Sequence, residues 1–125
     1  MDVATITREN SDTDTMCLYV FSPSKEERLY QLQMNTLADH SLALNEHHVT
    51  VAEVFENERG QVGNDELPSE GCSGLRQQFH VMPGQFRVVL VVNESSVKLS
   101  AESCVSCEEV IMRIDNEPIE VKHSF

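Results

Sequence analysis

The sequence predicts an α/β fold, with the order β-α-β then α-β-β-α around a central mixed sheet of about four strands. Three observations carry that reading. Val88 to Val92 is continuously apolar, as a strand must be when helices cover both faces of its sheet. Met16 to Phe21 and His48 to Phe55 are β-favouring runs, and the segment between them places apolar residues at helical spacing. The length of 125 residues suits one domain that builds a single core without staples.

Residues 1–15 are polar and aperiodic, and they read as a flexible acidic leader. The first strand, Met16 to Phe21, stops at Ser22-Pro23-Ser24. A helix is expected to start there, capped by Ser22 ahead of Pro23 or by Ser24 with Glu27, because both pairs satisfy the free N–H groups of a first turn. Tyr30, Met34, Leu37 and Ala38 form its stripe, widened by Leu29 and Leu32, and it runs to about Ala43 with a stop at Asn45. His48 to Phe55 is the second strand, parallel to the first across a right-handed crossover.

Glu56 to Gly74 carries four glycines, Pro68 and five acidic side chains, so it reads as a long surface loop and the most mobile internal segment. Leu75, Phe79 and Met82 give a short helix ending at Pro83-Gly84. A hairpin follows, with Asn93-Glu94-Ser95-Ser96 as its turn and an edge strand that alternates through Val97 and Leu99 around Lys98, the lysine discouraging strand addition or touching a partner. The last helix, from about Ser103 to Ile114, has Cys107, Val110, Ile111 and Ile114 as its stripe and Ser103 or Ser106 with Glu109 as its cap. Residues 16–119 thus form a domain with the thioredoxin-like element order, and 120–125 are a tail.

Nine Lys and Arg stand against 21 Asp and Glu, a net charge of −12 that argues against nucleic acid or an anionic membrane as partner. The longest apolar run is far short of the roughly 20 residues that a membrane helix needs, so no membrane insertion is expected. The acidic first fifteen residues are the opposite of a signal peptide. Four cysteines, Cys17, Cys72, Cys104 and Cys107, are too few for a disulfide scaffold.

Several stretches resemble the domain-of-unknown-function family numbered 4174, a module also found in secreted sushi-repeat-containing and down-regulated-by-oncogenes matrix proteins. They are Phe86 to Val91 with Val97-Lys98-Leu99, Ile114-Asp115-Asn116-Glu117-Pro118, Ser22-Pro23-Ser24 running into Leu32-Gln33-Met34, and His48-Val49-Thr50-Val51. The chain differs in its turn at 93–96, which lacks the family's glycine, and in its acidic tail. The resemblance implies a thioredoxin-like or peroxiredoxin-like fold and an extracellular setting.

An active thioredoxin-like enzyme places its nucleophilic cysteine just past the first strand, at a helix N-terminus that stabilises a thiolate. Here that position reads Ser22-Pro23-Ser24-Lys25, and Cys17 falls inside the strand. Cys104-Val105-Ser106-Cys107 is a CxxC at the expected start of the last helix, where a redox pair, a static bridge or two structural thiols are all open readings. Zinc would need two more ligands from Cys72 and scattered histidines. His47 and His48, as neighbours on a strand, would face opposite ways and not chelate together, while His40, His80 and His123 have no partner at useful spacing. No metal or cofactor is expected. Ser22, Ser24, Lys25 and Arg28 form a generic anion site at the first helix start. The expectation is a non-catalytic thioredoxin-like module that binds another protein. The alternative is a thiol-disulfide oxidoreductase or peroxidase-like enzyme using Cys104 and Cys107.

Overall fold

The computed structural model describes residues 15–93 and 96–114. The expected leader over 1–14, the middle of the turn at 94–95, and everything from 115 onward, including the tail and His123, lie outside the described residues. The elements are β1 (Met16–Ser22), α1 (Arg28–Asp39), α2 (Ser41–Glu46), β2 (Val49–Phe55), β3 (Gly60–Val62), β4 (Asp65–Leu67), α3 (Ser69–Gln78), β5 (Arg87–Val92) and β6 (Ser96–Ala101). A final helix, α4, covers residues 107–114.

The strands form one mixed sheet in the order β4-β3-β2-β1-β5-β6. β1 is parallel to β2 and antiparallel to β5, so the two most apolar runs lie side by side at the centre. Alternate side chains go to opposite faces. Leu18, Val20, Val88 and Leu90 pack with Leu37 of α1, Leu44 of α2 and Val110 of α4 on one face. On the other, Phe21, Val89 and Val91 pack with Val54 of β2 and Cys72 of α3. Tyr19, Phe21 and Phe79 form a ring cluster there, with centroids 5.2–5.9 Å apart. Two helical layers around a β-α-β, α-β-β-α sheet make the fold thioredoxin-like, as the sequence pattern implies.

The sheet has six strands rather than about four, because the segment expected as a loop is ordered. Residues 60–67 form a hairpin, β3–β4, that pairs antiparallel with β2, and α3 begins at Ser69 instead of near Leu75. Gly60 makes this extension fit. A Cβ at that position would lie 1.9 Å from the carbonyl oxygen of Glu53, so only glycine lets β3 approach β2. Gly60→Ala is expected to push β3 off its neighbour and cost about 1–3 kcal/mol. Hydrogen exchange would register it as faster amides throughout β3 and β4.

The first helix also differs. Ser22 ends β1, and its hydroxyl donates to the carbonyl of Ser24 (2.8 Å) instead of capping. The Ser24 hydroxyl accepts from Glu26 N (3.2 Å), forming a turn that delays the helix to Arg28, with no side-chain cap at Glu27. The single helix expected to reach Ala43 is broken at His40, whose ring Nδ1 pairs with the carbonyl oxygen of Thr36 (3.1 Å) and whose own backbone is non-helical. α2 then ends at Glu46. His48, expected as the first residue of the second strand, is a turn residue with φ +59°.

At the other edge, β5 and β6 pair through a bulge that matches Leu90 to Leu99 but Val91 to Val97, leaving Lys98 as the extra residue. This breaks the expected alternation. Leu99 is buried while Val97 is 51% exposed. In α4 the Ser106 hydroxyl accepts from Glu109 N (3.1 Å), so the second of the two expected caps is the one used. Among the described residues no helix is long and apolar enough to cross a membrane.

Candidate functional site

The end of β1 is where a thioredoxin-like enzyme would carry its thiol. The fold brings Ser22, Pro23, Ser24 and Lys25 there beside the end of β2, and the two serine hydroxyls are engaged in the local turn. Lys25 N donates to Glu58 Oε2 (3.4 Å), and the Lys25 ammonium lies 5.7 Å from the centre of the Phe55 ring. A carboxylate of the chain itself therefore stands near the backbone N–H that a bound anion would use. Arg28 is exposed at the first turn of α1, beyond that turn. Lys25 and Glu58 also border an open polar cleft of about 500 Å³, whose far wall holds Arg59 paired to Glu66.

Cys104 is not at a helix start but in the extended stretch before α4, and its thiol donates to the Leu29 carbonyl of α1 (3.2 Å). Cys107 is buried at the first turn of α4. All four cysteines are free thiols. Loss of hydration raises the pKa of Cys104, and it raises that of Cys107 with help from the neighbouring Glu108 carboxylate. Cys17 is raised by burial as well, against a smaller opposing hydrogen bond with Tyr19. All of these shifts act against a resting thiolate.

An unfolded chain ionises Cys17, Cys104 and Cys107 near pH 8.5, whereas the folded chain holds their protons to higher pH. Their contribution to stability is fully present below about pH 8.5 and is lost as pH rises toward the folded values. We expect stability to decline on the alkaline side of that pH. We also expect native Cys104 to react with iodoacetamide at pH 7 far more slowly than in the denatured chain. Rapid alkylation at pH 6, together with turnover that disappears in Cys104→Ser, would instead establish the thiol enzyme.

The four described histidines do not converge. His47 and His48 lie in the turn before β2, and His40 and His80 are exposed at helix ends. Among the described residues no group of three or more His, Cys, Asp or Glu side chains is placed to hold a metal ion.

Three arrangements escape sequence reading. Gln33 is fully buried, and its amide spans the backbone of Val105, donating from Nε2 to the carbonyl (2.9 Å) and accepting at Oε1 from the N–H (2.8 Å). Glu56 at the end of β2 pairs with Arg76 of α3 (3.5 Å) and accepts from Gly84 N, fixing the loop ahead of β5. Gly84 has φ +80°, a conformation that favours glycine. Tyr30 of α1 donates to Glu53 Oε1 (2.5 Å) and meets the Phe55 ring edge-on at 5.1 Å. Burial and this carboxylate raise the phenol's pKa, so it remains a donor. A polar residue in each pair falls on a face the sequence marks as wet or leaves unmarked.

A family model with the description "Domain of unknown function (DUF4174)" matches residues 16–122. The chain is 27% identical over 101 residues to the Sushi repeat-containing protein SRPX2 of Xenopus laevis. That match covers 78% of this chain but only 22% of the relative. A solved structure titled "Structure of a malarial protein" superposes with a TM-score of 0.57 at 14% identity, covering 82% of this chain and 96% of that one. At that identity the likeness concerns the fold alone.

Proposed function

This chain belongs to the family Domain of unknown function (DUF4174), and on that premise we propose that it is a non-catalytic thioredoxin-like module that binds another protein in an extracellular or matrix setting. The observation that carries the reading is the end of β1, where Ser22, Pro23, Ser24 and Lys25 stand in place of a thiol and the serine hydroxyls are spent on a local turn. A fold that keeps its architecture without the nucleophile retains surfaces rather than a reaction. The setting rests on the resemblance to modules of secreted matrix proteins and on the likeness to a sushi repeat-containing protein.

The competing oxidoreductase would use Cys104 and Cys107. It needs a thiolate in a stretch where burial and Glu108 favour the neutral thiol. A pull-down from extracellular extract with the full chain tests the module reading. Recovery of a saturable protein partner is the expected result, and its absence across such extracts would count heavily against the reading.

A further inference from the structure

The β3–β4 hairpin carries the sheet beyond the cover of α1 and α2, and a groove of about 370 Å³ opens between those helices, β2 and the hairpin turn. Met34, Leu37, Leu44, Val49 and Val51 supply its apolar lining, and uncharged polar side chains such as Asn45 supply much of the rest. Among the described residues, Glu53 is the one charged residue that lines it. Tyr30 holds that carboxylate by Oε1 (2.5 Å), while Oε2 has no hydrogen bond or ion pair among the described residues. We propose that this groove receives a lysine side chain of a partner protein, its aliphatic stem against the apolar part of the lining and its ammonium on Glu53 Oε2, with an apolar neighbour of that lysine filling the remaining space.

Charge and shape both select this occupant. Among the described residues no Lys or Arg lines the groove, so an acidic ligand would meet an uncompensated carboxylate. A wholly apolar ligand would cover Oε2 and strip it of water without a replacement donor. A lysine satisfies both demands, since its stem is apolar and its head carries donors only. The net charge of −12 adds a long-range attraction for basic partners. Tyr30, fixed against Phe55, holds Glu53 in position before any partner arrives.

The proposal rests on the module reading and names the chemistry of its partner. The test is an NMR titration of the full chain with three capped tripeptides: acetyl-Leu-Lys-Leu-amide, the same peptide with norleucine at the centre, and the same with glutamate. The lysine peptide is expected to shift amides of Val49, Val51 and Glu53 and to bind about tenfold tighter than the norleucine peptide, the factor that corresponds to about 1.4 kcal/mol. Glu53→Gln should bring that ratio close to one, whereas Glu66→Gln, which removes an equal charge outside the groove, should leave it unchanged. Equal binding of the lysine and norleucine peptides, shifts spread over the surface, or the same loss in both variants would overturn the proposal. A captured partner whose binding survives Glu53→Gln removes the groove but leaves the module reading. Peptide binding as described, with no partner recovered from extracts, removes the module reading and leaves the groove.

Discussion

Leu90→Ala is expected to destabilise the protein by about 2–5 kcal/mol, the range for opening a cavity in a packed core. Leu90 is 0% exposed in the middle of β5, paired with Leu18 on β1 and with Leu99 on β6. Neighbours on both sides are held by ladder hydrogen bonds, and α1 and α4 close the same face, so the site cannot collapse into the space left behind. Urea unfolding of the two proteins measures the effect as a lower midpoint with an unchanged slope. A loss below about 1 kcal/mol would fall short of any core-cavity value and would make β5 peripheral.

Gln33→Met comes next in size, and its cause is different. Methionine keeps the length and the helix propensity of glutamine but offers no amide. The carbonyl and N–H of Val105, both now satisfied by Gln33, would remain buried without partners. Each such group costs about 1–3 kcal/mol, so a total of about 3 kcal/mol is expected. The damage should also be local. The stretch at Cys104–Val105 is tied to α1 by this amide and by the Cys104 thiol on Leu29, so faster amide exchange at Val105 and in α4 should accompany the loss. An unchanged midpoint would mean that water replaces the amide at no cost.

Much of the fold was legible because its central elements carry strong periodic signals. The Val88–Val92 run and the Met16–Phe21 run could only be buried strands, and the structure places them side by side. The hairpin was hidden because Gly60–Val62 and Asp65–Leu67 are three residues each and sit at an edge, where side chains are polar and no alternation develops. The late start of α1 was hidden because Ser22 and Ser24 can serve a turn as well as a cap. Gln33 falls outside the apolar stripe that the sequence gives the first helix, and only the approach of the Val105 backbone makes its burial favourable. The groove at Glu53 was unreadable for the same reason, since it exists only where the unforeseen hairpin meets α1 and α2.

The pairing of β1 sets an order of assembly. Met16 pairs with Val49 of β2, 33 residues on, and with Val92 of β5, 76 residues on. As the chain leaves the ribosome, β1, α1, β2 and the hairpin can associate before β5 exists. Until β5 arrives, β1 is an edge, with apolar Leu18, Val20 and Phe21 and an unpaired row of backbone groups. Closing the longer loop adds only about 0.6 kcal/mol per doubling of length, so the delay is set by synthesis rather than by entropy. A nascent chain whose emerged part ends between Leu67 and Arg87 therefore presents a sticky half-sheet, and that interval is where a chaperone would have most to cover.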